Sequence, residues 1–387
     1  MMMPAMPIYL DHAATTPLDP RVRAEMLRYL DEDFGNAGSR THEWGLRART
    51  AVEQARDRVA AVVAAGRGDV VFTSGATESN NLAILGLAAE AGSRKHIIST
   101  AIEHHAVLEP LAALERRGVD VTRVLPGRDG AVDPDAILAA VRPETLLISL
   151  MHVNNETGVM QPVAAVADAL EGTNVYLHVD AAQSFGRELP ALRHPRIDLI
   201  SVSAHKINGP KGVGALVMRR RNGQRPPLQP LMFGGGQERG LRPGTMPVPL
   251  VAGFGLAAEL ALSEADARTA RCLAFREALL RGLAPLEPVV NGDVTRLVPY
   301  ILNLSFPGLA AEAAIDAWSG LVAISNGAAC TTQSYTCSHV LSAMGLPAWR
   351  MDGALRFSWG ADSPQPDWGA VVAAAEPYRD EQRVETS

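Results

Sequence analysis

The residue that invites chemistry is Lys206, in Ser203-Ala204-His205-Lys206-Ile207-Asn208-Gly209-Pro210-Lys211-Gly212. It follows the apolar run 197–202, which reads as a buried strand entering a Gly/Pro turn. A lysine placed where a strand ends is either a solvated loop charge or an amine that condenses with a carbonyl cofactor. Ser203 and His205 beside it supply hydroxyl and imidazole donors of the kind a phosphate needs. Upstream, Val175-Tyr-Leu-His-Val-Asp180-Ala-Ala-Gln183 is a second β-rich run that ends in an acid. A carboxylate at the end of an apolar strand is costly unless a cation meets it. A protonated pyridine nitrogen is such a cation, and a ring that serves as an electron sink needs one. In an open α/β sheet, consecutive parallel strands end on one edge, where ligands bind. The spacing is therefore compatible with Asp180 and Lys206 reaching one cofactor.

Other stretches carry polar residues at the ends of apolar runs. Strand 70–73 enters Ser74-Gly75-Ala76-Thr77-Glu78-Ser79-Asn80-Asn81, and a helix follows over 82–91. Such a turn either aims free backbone N–H groups at an anion or is an ordinary capping box. Strand 95–100 leads to Glu103-His104-His105. Adjacent residues at a strand end point opposite ways, so at most one of these histidines faces a pocket. Asn154-Asn155-Glu156-Thr157-Gly158 reads as a turn after the near-continuous apolar strand 146–153. The glycine-rich run 234–245 is either a flexible surface loop or a place of close backbone approach. Arg356 is edge charge or a planar partner for a carboxylate. Cys330 sits among turn-formers in 325–334, which argues against burial in an apolar core; a thiol on such a loop can reach a sulfur and swing away.

The elements that must position these residues alternate strand and helix from about residue 68 to 220, the pattern of one doubly wound domain. After Thr245 the pattern changes to short strands separated by helices. The chain has 387 residues, with 36 basic and 42 acidic side chains and a net charge of −6. That balance argues against a basic nucleic-acid face as the main business; Arg219-Arg220-Arg221 reads as a solvated edge. Cys272, Cys330 and Cys337 cannot make a disulfide framework and fit a reducing cytoplasm. The N-terminus lacks the pattern of a signal peptide, and 248–262 reads as a buried helix and not a membrane span.

Taken together, the motifs resemble the cysteine desulfurases of the NifS/IscS type, which are class V aminotransferases and fold-type I pyridoxal-phosphate enzymes. The match runs through seven ordered motifs over most of residues 8–360. Leu10-Asp11-His12-Ala13-Ala14-Thr15-Thr16 is similar to the family's opening motif, and 35–39 to its Gly-Asn-Pro-x-Ser with Ala37 in place of proline. The resemblance implies an α/β fold. A large, mostly parallel, seven-stranded domain would cover 16–250, and a small α+β domain of 1–15 and 251–387 would carry the cysteine loop. It implies pyridoxal 5'-phosphate on Lys206, with Asp180 at the ring nitrogen and Ala76, Thr77, Ser203 and His205 toward the phosphate. His104 would stack on the ring and move protons, while Asn155 and Gln183 would contact its phenolic oxygen. Asn155 and Arg356 would also hold the substrate, Arg356 by its α-carboxylate. Thr245 would reach the phosphate across a homodimer.

The implied reaction removes sulfur from L-cysteine, giving alanine and a persulfide on Cys330 for an acceptor protein. A selenocysteine lyase or another lyase or aminotransferase of this fold is the neighbouring reading. Acceptor routes left open are iron–sulfur assembly, thiolation and DNA phosphorothioation. The context of 333–339 is similar to that of desulfurases of the last route, and the C-terminal region is shorter than the one housekeeping enzymes use to dock a scaffold. Cys337 is either inert or a resolving thiol. No metal, membrane or direct nucleic-acid contact is expected, and the expected location is the cytoplasm.

Overall fold

The computed structural model describes residues 6–326 and 338–379. Twelve strands occur there: β1 Ile8–Tyr9, β2 Val70–Thr73, β3 His96–Thr100, β4 Asp120–Val124, β5 Thr145–Met151, β6 Tyr176–Asp180, β7 Leu199–Ser203, β8 Gly214–Met218, β9 Val289–Val290, β10 Ile301–Ser305, β11 Val322–Ala323 and β12 Leu355–Ser358. Seven of them form one sheet in the order β2-β8-β7-β6-β5-β3-β4. Pairing is parallel from β7 through β4, and β8 runs antiparallel to both its neighbours. This is the doubly wound, mostly parallel sheet that the strand–helix alternation predicts.

Its strands are apolar almost throughout because both faces are covered. Alternate residues go to different cores. Val70, Phe72, Ile98, Ile200 and Val217 join one cluster, and Val71, Ile97, Leu199 and Leu216 the other. The first is roofed by helices Glu43–Val62 and Val248–Ser263, the second by Ala76–Ala88 and His105–Glu115.

A third core, with Trp318, Trp359, Phe306 and Phe357, sits on the antiparallel sheet β12-β10-β9. The N-terminal segment belongs to it: β1 pairs in parallel with β11, and Leu10 and Ala13 are buried there. Residue 250 falls inside helix Val248–Ser263, whose Val251, Phe254 and Ala258 pack in the large core. We propose that the seam between the two units follows Ser263 and does not fall at residue 250.

Two further features bear on the sequence reading. Arg219 is not a solvated edge charge. It is buried, and its guanidinium donates to the carbonyls of Val63, Leu192 (2.8 Å) and His194 (2.6 Å), closing loop ends whose backbone acceptors would otherwise go unmet. The glycine-rich run is fixed at one point: Glu238, itself buried, takes Arg56 on both oxygens at 2.7 Å and the Phe72 N–H at 2.6 Å. Among the described residues no single helix is long and apolar enough to cross a membrane.

Candidate active site

At the C-terminal edge of the parallel strands lies a cavity of about 540 Å³. Lys206 lines it from the helical turn 204–206 that directly follows β7. Its amine donates to the carbonyls of Ala13 and Ala14, the latter at 2.9 Å. Its own carbonyl accepts from Arg187 Nη2 at 2.6 Å. The neighbouring His205 carbonyl takes both the N–H (3.0 Å) and the hydroxyl (2.9 Å) of Thr16. The N-terminal segment is thus stitched along the lysine turn.

Asp180, the last residue of β6, opens onto the same cavity. Its strand pairs with β7, Asp180 opposite Ser201, which brings it near Lys206 as the edge rule predicts. Its carboxylate accepts from Asn80 Nδ2 at 2.7 Å and from the Ala182 N–H at 2.9 Å. Asn80 has no role in the sequence reading. It lies in the first turns of helix Ala76–Ala88, and its buried Oδ1 has no hydrogen-bond partner among the described residues. No local signal could have found it, because its partner is 100 residues away.

His104 is not at a strand end. It caps helix His105–Glu115, with Nδ1 accepting from the Ala106 N–H at 3.0 Å. Burial, ahead of the nearby charges, lowers its pKa, so the ring is neutral with its proton on Nε2. His205 also lines the cavity. Burial pushes its pKa down to about 4, and its Nδ1 meets Thr15 Oγ1 at 3.1 Å.

Gly75, Ala76 and Thr77 form the start of the 13-residue helix that faces the cavity. Gly75 caps it without a side chain, and Glu78 turns back to accept the Ser74 N–H at 2.7 Å. The turn can sit this low because Gly214 on β8 has no side chain: a Cβ there would come within 2.7 Å of Gly75 Cα. Ser203 closes the other side, its hydroxyl 3.6 Å from where a Gly75 Cβ would be. Lys211 and Gly212 also line the cavity, although the sequence reading assigned them nothing.

Asn155 and Gln183 line it too. Gln183 Nε2 donates to the Ala13 carbonyl at 2.9 Å. Arg356 is beside the cavity and not in its lining. It is 3% exposed and donates to the Asn155 carbonyl (2.9 Å) and to Asp11 (2.7 Å). Thr245 is exposed and away from the lining. Cys330 and Cys337 lie outside the described residues. The segments on either side of that loop are anchored near Arg356: Ser325 bridges to Arg356, and Ser338 donates to Glu156.

The arrangement gathers an amine, a carboxylate, a neutral imidazole and a helix start with small residues. These are the groups a phosphorylated pyridine aldehyde would engage, and the Asn80 and Ala182 donors keep the Asp180 carboxylate turned into the space. The model of the class V aminotransferases matches residues 8–367. Cysteine desulfurase IscS of Anaeromyxobacter dehalogenans (strain 2CP-C) is 45% identical over 93% of this chain and 89% of that one. The chain belongs to the class V aminotransferases, as a cysteine desulfurase of the NifS/IscS type.

Two solved structures agree with that placement of the desulfurase. DndA from Streptomyces lividans is 49% identical, with a TM-score of 0.80 over 93% of this chain and 99% of that one. SspA in complex with cysteine is 34% identical, with a TM-score of 0.80 over 91% and 98%. The desulfurase uses pyridoxal 5'-phosphate, as its family does.

Two buried acids border the desulfurase site. Burial pushes the carboxyl of Glu103, next to His104, up to about 8, and that of Glu156, next to Asn155, up to about 7. An ordinary glutamate ionises near 4.5. The folded chain therefore holds the extra protons between these limits. That stability is complete below the unfolded pKa and is lost as pH rises through the folded values. His12, His152, His178 and His205, pushed down to about 4 by burial, act in the opposite sense below their ordinary value of 6.5. Above pH 6.5 the acids prevail. Between pH 6.5 and 8 the wild type should lose about 1–2 kcal/mol more stability than Glu103→Gln. Urea midpoints at the two pH values check this, and equal losses would mean that Glu103 is already ionised.

Proposed function

We propose that this desulfurase takes sulfur from L-cysteine, leaves it on Cys330 as a persulfide for an acceptor protein, and releases alanine. The observation that carries the reading is that the Lys206 amine and the Asp180 carboxylate open onto one cavity. Bound pyridoxal phosphate supplies a carbonyl for amines and a ring that draws electrons from Cα. Lys206 would carry the cofactor and then move protons at Cα of the substrate. Asp180 would keep a positive charge on the ring nitrogen, oriented by Asn80. Ala76, Thr77, Ser203 and His205 would hold the phosphate. His104 would lie against the ring and offer its Nε2 proton, and Asn155 and Gln183 would flank the phenolic oxygen. Arg356 would take the substrate carboxylate, exchanging it for Asp11. The Cys330 thiolate would attack the substrate sulfur, forming the S–S bond while the Cβ–S electron pair stays with carbon.

We further propose a cytoplasmic homodimer in which Thr245 reaches the phosphate across the interface. Leu231, Met232 and Phe233, the last 87% exposed, stand beside the glycine-rich run and support a covered face there. The acceptor route is iron–sulfur assembly, thiolation or DNA phosphorothioation. The names of its relatives, IscS and DndA, lean toward the first and last. Incubation with L-cysteine alone should yield alanine, with the Cys330 peptide one sulfur atom heavier by mass spectrometry. A keto acid product would place the protein with the aminotransferases of this fold instead.

A further inference from the structure

A second cavity, of about 410 Å³, shares its walls with the first. The N-terminal segment lines both: Ala14 and Thr15 face the active site, and His12 and residues 17–20 face the second space. The lysine turn does the same, with Lys206 on one side and Ile207 and Asn208 on the other. The volume suits a small organic molecule. The walls are largely apolar and aromatic, with Tyr9, Tyr300, Trp359 and Leu18 among them.

Charges in this cavity almost cancel. Asp19 pairs with Arg21 at 2.7 Å, Arg268 with Glu264 at 2.8 Å, and Asp362 with Arg271 at 3.7 Å. Arg187 is the exception, since it makes no ion pair among the described residues. Its guanidinium lies over the Tyr300 ring at 4.4 Å and donates through Nη2 to the Lys206 carbonyl. Its chain neighbour Glu188 compensates that charge only in part, because burial pushes the Glu188 carboxyl up to about 7. A second unmet group is close by: His12 is 7% exposed and its Nδ1 has no hydrogen-bond partner among the described residues.

We propose that this cavity binds a small aromatic monocarboxylate, its acid on Arg187 and its ring against the aromatic walls, and that occupancy slows turnover. The coupling is mechanical. An occupant wedged between residues 9–20 and helix Ala265–Leu283 holds the segment whose Ala13 and Ala14 carbonyls engage the Lys206 amine. In the loaded enzyme the amine that the substrate displaces would rest on those carbonyls between proton transfers and leave them more slowly, and the substrate site is untouched.

The test uses the holoenzyme with 3-phenylpropionate and its neutral amide, followed by calorimetry and steady-state kinetics. The amide should bind about tenfold more weakly than the acid, since it cannot make the charge-assisted contact. At saturation the acid should lower kcat about fivefold and change KM for L-cysteine less than about twofold. Thr269→Trp fills the cavity from helix Ala265–Leu283 and should abolish acid binding, so that added acid no longer changes its kcat, while the permanent filling lowers that kcat toward the value of the acid-saturated wild type. Ala265→Met serves the same purpose with a smaller insertion. Equal binding of acid and amide, binding that survives both variants, a rise in KM alone, or binding with unchanged kcat would each overturn the proposal. These readouts concern binding beside the active site, so they can fail while the desulfurase assignment stands.

Discussion

Lys206→Ala should lower kcat/KM for L-cysteine by at least about 10³-fold, because it removes both the proposed attachment of the cofactor and the proposed proton carrier at Cα. Borohydride should then fix no cofactor to the chain. The geometry makes this loss specific. The lysine amine donates to backbone carbonyls of the N-terminal segment, and that segment is held separately by the two Thr16 bonds to the His205 carbonyl. The variant should therefore melt within a few degrees of the wild type. Asp180 and the 74–77 turn remain, so pyridoxal phosphate should still bind by its ring and phosphate, more weakly and with the spectrum of a free aldehyde. Added methylamine should restore a small part of the turnover. Covalent trapping of the cofactor in the variant would mean that another amine, Lys211 being the other lysine on the cavity wall, holds it.

What the sequence made legible was what strand order decides. Asp180 and Lys206 end neighbouring parallel strands, so their meeting follows from the edge rule alone. The buried sheet was equally plain, because strands covered on both faces must be apolar throughout. What stayed hidden depends on partners far along the chain. Arg219 reads as a surface charge until the carbonyls of Val63, Leu192 and His194 converge on it. Asn80 reads as a helix residue until Asp180 arrives from the other half of the sheet. His104 and not His105 lines the cavity, as expected of the pair, but alternation is not the cause: the strand stops at Thr100, and His104 is placed by capping the next helix. The seam proposed after Ser263 was not legible because helix Val248–Ser263 is apolar on nearly every side and gives no hint of which core it enters.

Cys330→Ser should abolish sulfur release while leaving the cofactor bound at wild-type occupancy, the opposite signature to Lys206→Ala. Lys206 and Asp180 sit at the edge of the sheet, while Cys330 lies in a segment whose described flanks are anchored elsewhere. Arg356 N–H donates to the Ser325 carbonyl at 2.6 Å, and Ser338 is tied to Glu156, whose neighbour Asn155 offers its carbonyl to Arg356. Both anchors therefore converge on the proposed carboxylate clamp. Cys330 follows Ser325 by five residues. At ~3.6 Å per residue that spacing bounds Cys330 to within about 18 Å of the anchor, a distance compatible with the proposed transfer from a substrate on Arg356 to an acceptor protein. A serine hydroxyl keeps the loop's size and polarity but cannot accept a sulfur at neutral pH, where the thiolate is the nucleophile. The variant should still bind L-cysteine, with a change in the cofactor's absorbance, and should release less than about a thousandth of the wild-type sulfide. Undiminished sulfide would move the sulfur-accepting step to another thiol, and the same assay on Cys337→Ser would then say whether that thiol is Cys337.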